Sequence, residues 1–227
     1  MIDLLIKYPS RSRPELFKNI LNQYIDNLSG KQKVKFIITM DCDDDTCNNN
    51  PMRYFLENCK SKVDLDYHFG NSKSKIEACN ANIPTQGWKT LLLISDDMKI
   101  KVKNYDDIIC NDMIVHFPDY DGCLNYNAHK AAFTQHIPGR GSLMVLSIMG
   151  NAYYNRLGYI YNPIYKSLFA DDEQTRIARK LNKIIDIDKQ IINHDWNSIK
   201  DDLRIKCESL DTVDRQIFKE RLQKGLI

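Results

Sequence analysis

The chain has 227 residues, 43% hydrophobic and 27% charged, which is the composition of a soluble globular protein long enough to bury a proper core. Its 32 basic and 30 acidic residues leave a net charge of +2, which argues against a general nucleic-acid binder. No apolar run reaches the roughly 18 residues of a membrane span, and Met1 to Lys7, with an acid at Asp3, is too short for a signal peptide.

In chain order, Ile2 to Lys7 predicts a first strand. Pro9-Ser10-Arg11-Ser12-Arg13-Pro14 is a turn, and Pro14 with Glu15 opens a helix, because a first-turn proline and acid both favour a start there. Leu16, Phe17, Ile20, Leu21, Tyr24 and Ile25 keep helical spacing until Ser29-Gly30. Val34 to Met40 predicts a second strand, followed by Asp41-Cys42-Asp43-Asp44-Asp45. Met52 to Cys59 reads as a helix, Val63 to Phe69 as a third strand, Ser72 to Ala81 as a helix and Thr90 to Ile94 as a fourth strand. This βαβαβαβ order implies a parallel sheet with helices on both faces. Beyond it, Met113 to Phe117 and Leu143 to Ser147 read as strands. Glu173 to Ile185 reads as a helix, and Ser198 to Cys207 with Thr212 to Gln223 as a charged helical tail. The expected organisation is one α/β domain over 1–227, with a regular half (1–100), a less regular half (101–190) and a C-terminal extension (191–227).

Leu91-Leu92-Leu93-Ile94 runs straight into Ser95-Asp96-Asp97. Open α/β sheets bind ligands outside the carboxyl ends of their strands, and two acids there can hold a hard divalent cation and through it a diphosphate. The alternative is a solvated turn. At the end of strand one, Arg11 and Arg13 offer planar forks suited to phosphate, with Pro9 and Ser10 in the same loop. The acids after strand two need a cation or a ligand hydroxyl or N–H group to relieve their repulsion. Lys75 can meet a diphosphate and Asn80 a ribose. Asp171-Asp172-Glu173 either favours a helix start or supplies a general base. His194, in Asn193-His194-Asp195-Trp196, is a metal ligand or packing. His68, His116, His129 and His136 show no ligand spacing. The seven cysteines form no CxxC pair, so reduced thiols and a cytoplasmic location are expected.

Taken together and in this order, these elements resemble the nucleotide-sugar glycosyltransferases of the GT-A fold, in particular the family 2-like inverting group. Pro9 to Arg13 looks like that family's first nucleotide-binding loop, and Asp41 or Asp43 stands at the place of its nucleoside-binding acid. Ser74 to Asn82, with Lys75 and Asn80, is similar to the segment preceding the DXD strand. Ser95-Asp96-Asp97 resembles the metal-binding DXD motif, with Ile94 at the place of its first acid. Phe169-Ala170-Asp171-Asp172-Glu173 is similar to the E-D-x-E element: Ala170 replaces the first acid, Asp171 matches the catalytic base with Asp172 one residue away, and Glu173 matches the last acid. His194 lies where related enzymes place a metal-ligating histidine.

The resemblance implies transfer of a hexose from a UDP-sugar to a hydroxyl of a glycan, glycoprotein or other acceptor, with inversion. It implies Mn²⁺ or Mg²⁺ held by Asp96, Asp97 and His194. The aromatic run Tyr153 to Tyr161 either stacks on an acceptor sugar or packs in the core. Two other classes compete. A nucleotidyltransferase would carry a Gly-rich phosphate loop, and Ile2 to Pro14 has no glycine. A catalytically degenerate sugar-nucleotide-binding or virion-structural module would explain Ile94 and Ala170.

Overall fold

The computed structural model describes residues 1–128, 143–195 and 200–226. His129, His136, Trp196 and residues 198–199 of the expected tail helix lie outside the described residues.

Four parallel strands build the first half: β1 (Ile2–Pro9), β2 (Val34–Asp41), β3 (Asp64–Gly70) and β4 (Trp88–Leu93). They are joined by α1 (Pro14–Asp26), α2 (Asn50–Lys60) and α3 (Lys75–Asn80). Leu4, Leu5 and Ile6 are buried on both sides of β1, as continuous apolar strands of a covered parallel sheet must be. Ile6 lies opposite Phe36 on β2 and Leu92 on β4, which brings the carboxyl ends of β1, β2 and β4 to one edge.

The second half corrects the sequence reading. Met113 to Phe117 is not a strand: it ends the helix α4 (Tyr105–His116), whose buried positions Tyr105, Ile109, Cys110 and Met113 form a helical stripe. Ile114 and Val115, which suggested a strand, are exposed on its outer side. Between β4 and α4 lies a short strand, β5 (Met98–Ile100). Leu143 to Ser147 is an irregular lead-in, and the strands here are β6 (Cys123–Tyr126) and β7 (Ile148–Gly150). Gly150 is required where it stands, since a Cβ would lie 2.0 Å from the Tyr120 carbonyl oxygen. The aromatic run becomes α5 (Asn151–Leu157), with Tyr153 and Tyr154 buried as core. The expected helix to Ile185 stops earlier, as α6 (Ala170–Lys180), and Ile184 to Ile187 forms β8. The chain continues through β9 (Ile192–His194), α7 (Asp202–Glu208) and α8 (Asp211–Gln223).

The sheet order is β3-β2-β1-β4-β7-β6-β8, with β7 antiparallel to both neighbours and β6 parallel to β8. One apolar core joins α1, α2 and α4 to one face, and a second joins α3, α5, α6 and α8 to the other. This is a mostly parallel, Rossmann-like GT-A fold. Among the described residues no helix is long and apolar enough to cross a membrane.

Candidate active site

Three loops leave the carboxyl ends of β1, β2 and β4 side by side. Arg11 fixes the first against the second. Its Nη1 donates to Asp41 at 2.9 Å and to Asp43 at 2.6 Å, and its Nη2 reaches Asp43 at 3.0 Å. This pairing, through Asp43 first and Asp41 second, holds the guanidinium firmly charged and keeps the Asp43 carboxyl below its usual range. Asp41 also accepts the Ser72 backbone N–H at 3.1 Å, and Asp44 accepts that of Ser12 at 2.7 Å. The acidic cluster is thus relieved by an arginine and by backbone donors.

Asp96 and Asp97 have different surroundings. Asp96 is only 5% exposed and accepts the Tyr8 hydroxyl at 2.7 Å and the Ser10 hydroxyl at 3.0 Å. Burial pushes its carboxyl up to about 7, against the pull of Tyr8, Arg13 and Ser10. Burial opposes ionisation of Asp97 too, but there the hydrogen bond and charge of His194 prevail, helped by Ser95 and Lys75, and its carboxyl falls well below the ordinary range. His194 Nε2 lies 3.3 Å from Asp97 Oδ2. Strand pairing produces this meeting: β5 and β9 run antiparallel with Met98 opposite His194, and the Asp195 N–H donates to the Asp97 carbonyl at 2.8 Å.

Among the described residues no group of three His, Cys, Asp or Glu side chains converges on a cation position. The carboxylate–imidazole pair of Asp97 and His194 still suits a divalent ion that takes its remaining ligands from a substrate diphosphate and water, as Mg²⁺ sites commonly do. Asp96, engaged by two hydroxyls, is the weaker candidate.

Opposite these loops stands the start of α6. Lys75, Tyr161, Ser167, Leu168, Ala170 and Asp171 line a cavity of about 40 Å³, with room for water but not for a sugar. Lys75 bridges the two sides, since its charge also acts on Asp97. Asp171 faces this cavity; Asp172 is not among its lining residues. Phe169, just before α6, has φ 62°, an uncommon left-handed conformation for a bulky residue. It is held by stacking on Phe218 at 5.5 Å, with Arg215 over its ring. Glu173 is 1% exposed and accepts from Asn162 and Tyr165, both at 2.7 Å, and from Arg221 at 2.5 Å. Asp214 of α8, fully buried, accepts the backbone N–H groups of Lys166, Ser167 and Leu168 at 3.0, 2.7 and 2.8 Å.

Asn80 is engaged elsewhere: its amide donates to the Tyr161 carbonyl at 2.7 Å and its oxygen accepts from the Ile160 and Tyr161 N–H groups. It ties α3 to the segment before α6. Pro9 ends β1 opposite Thr39. Arg13 pairs with Asp201, a residue that sequence reasoning missed along with Tyr8, Asp214 and Arg221. Only Tyr8, between the predicted first strand and the Pro9 loop, carried a signal that would have found it.

The structure is similar to S. aureus TarS, with a TM-score of 0.61 at 14% identity over 85% of this chain and 36% of that one. It is similar to TarS 1–349 in complex with UDP-GlcNAc, with a TM-score of 0.63 at 15% identity over 85% of this chain and 58% of that one. It is also similar to the mannosyltransferase PcManGT from Pyrobaculum calidifontis in complex with GDP-Man and Mn²⁺, with a TM-score of 0.58 at 11% identity, covering 84% of this chain and 57% of that one. The chain therefore spans between 36% and 58% of the length of these three proteins. The likeness is one of fold. No protein-family model and no curated protein matches the sequence.

Proposed function

We propose that the chain is a glycosyltransferase that moves a hexose from a UDP-sugar to an acceptor hydroxyl with inversion. The observation that carries this reading is the grouping of Arg11, Asp41, Asp43 and Asp97 at the ends of β1, β2 and β4, with Asp171 across the Lys75 cavity. Structural neighbours bound to UDP-GlcNAc and to GDP-Man with Mn²⁺ support it.

Asp41 and Asp43 receive the nucleoside, exchanging part of their Arg11 contact for base or ribose donors. Asp97 and His194 would hold Mn²⁺ or Mg²⁺, which would supply positive charge to offset that of the departing diphosphate. Lys75 adds a point charge on the same side. Asp171 takes the proton of the acceptor hydroxyl as its oxygen attacks the anomeric carbon. The bond from that carbon to the diphosphate oxygen breaks on the opposite face, so UDP leaves and the anomeric centre inverts. Asn80 and Glu173 shape the acceptor side through backbone and side-chain bonds rather than by touching the sugar. Calorimetry with UDP and Mn²⁺ tests the donor half. Binding that is lost in Asp97→Ala supports the reading, and no binding of UDP or GDP by the unsubstituted chain removes it.

A second reading, a sugar-nucleotide-binding module without turnover, rests on Ile94 and Ala170, which stand fully or nearly buried where the family carries acids. UDP binding with no hydrolysis or transfer of any nucleotide sugar in Mn²⁺ would favour it.

A further inference from the structure

Arg13 caps the start of α1 at the end of the β1 loop, yet its side chain is bound by the far end of the chain. Its Nε donates to Asp201 at 2.7 Å and its Nη2 at 2.8 Å, a two-point pairing across 188 residues. Asp201 in turn caps α7, accepting the Arg204 N–H at 2.9 Å. Asp201 thereby sets the start of α7 against the β1 loop that carries Arg13. The same loop reaches the acids after β4, since the Ser10 hydroxyl donates to Asp96 at 3.0 Å, and the charge of Arg13 acts on both Asp96 and Asp97. A guanidinium has five donors, and Asp201 occupies the Nε–Nη2 edge, leaving the Nη1 edge for another acceptor.

We propose that Asp201 is a positioning residue for the donor diphosphate, holding the Arg13 fork beside Asp97 so that its second edge bonds the phosphate oxygens. The C-terminal segment then completes the donor site from outside the sheet. This rests on the strand ends being the donor site. The ion pair fixes an otherwise mobile side chain, so the ordering of Arg13 precedes ligand arrival.

Asparagine separates this role from simple capping. Asp201→Asn still caps α7, because Asn and Asp cap comparably, but it loses the charged two-point grip on Arg13. Calorimetry with uridine and with UDP, both in Mn²⁺, is the test, with circular dichroism confirming the helical content of each variant. Asp201→Asn is expected to weaken UDP by about tenfold, the scale of one charge-assisted hydrogen bond, and to leave uridine unchanged. Arg13→Gln should do the same, and the double variant should be no weaker than Arg13→Gln alone, since the two residues act as one unit. UDP binding unaltered or tightened in Asp201→Asn overturns the proposal while leaving the donor site standing. Additive losses in the double variant also overturn it. If the unsubstituted chain binds neither uridine nor UDP, the donor-site reading falls and the proposal with it.

Discussion

Lys7 stands on β1 between Ile37 and Leu93, completely buried, on the face that carries α3. Its amine bonds the Thr39 hydroxyl, and among the described residues no carboxylate pairs with it. Burial pushes the amine from its ordinary 10.5 down to about 7. In the unfolded chain the amine is protonated up to 10.5, so between about 7 and 10.5 folding releases a proton. Stability linked to this group is therefore full above 10.5 and is lost as pH falls through 7. The interval from 10.5 to about 7, at about 1.36 kcal/mol per pH unit, sets a ceiling of about 5 kcal/mol. Lys7→Met removes the amine at similar volume, and Thr39 keeps its bond to Asn82 at 3.1 Å. Urea unfolding of both proteins at about pH 6.5 and about pH 9.5 isolates the effect, and the Met variant should gain about 2–4 kcal/mol more at the lower pH. A difference equal at the two pH values within about 0.5 kcal/mol would show that Lys7 folds with its charge intact and would refute the reasoning.

Asp171→Asn should leave UDP binding unchanged and cut transfer by roughly two orders of magnitude, as measured with the first active donor–acceptor pair. If transfer survives in Asp171→Asn and fails in Asp172→Asn, the base is one residue along. Asp214→Ala strands three backbone N–H groups, one fully buried and two half-buried, and should destabilise by about 2–4 kcal/mol in urea titration; a loss under about 0.5 kcal/mol would mean water replaces the carboxylate. Electron paramagnetic resonance of Mn²⁺ with UDP should show binding lost in Asp97→Asn and kept in Asp96→Asn. The reverse pattern would return the cation to Asp96.

The edge formed by the carboxyl ends of β1, β2 and β4 was legible because its parts are local. A buried strand, a turn of Pro, Ser and Arg, or a pair of acids after Leu91-Leu92-Leu93-Ile94 declares itself within ten residues. Leu16 to Ile25 showed its helix by spacing alone. The stripe Tyr105, Ile109, Cys110 and Met113 carried the same signal, but β-branched Ile114 and Val115, which lie on the solvent side, masked it. What stayed hidden was what depends on distant pairing. Asp97 meets His194 only through the β5–β9 register, and Arg13 finds Asp201 across 188 residues; a single acid or base in a charged tail has no pattern of its own. Asn80 looked like a ligand for the same reason, because its backbone partners at 160 and 161 belong to a segment without periodicity.

The bracing of the α6 entrance by α8 also sets an order of events during synthesis. The segment that carries Asp171 is held by Asp214 and Arg221, residues made 48 positions after Lys166 and Glu173. At about 5–20 residues per second, a ribosome needs about 2–10 s to cover that interval. Within residues 2–93, β1 pairs with β2 and β2 with β3 as soon as each follows the other, whereas β4 must return to β1. A nascent chain would thus hold the β1–β4 sheet before Asp201 reaches Arg13, and the bracing of the α6 entrance would come last.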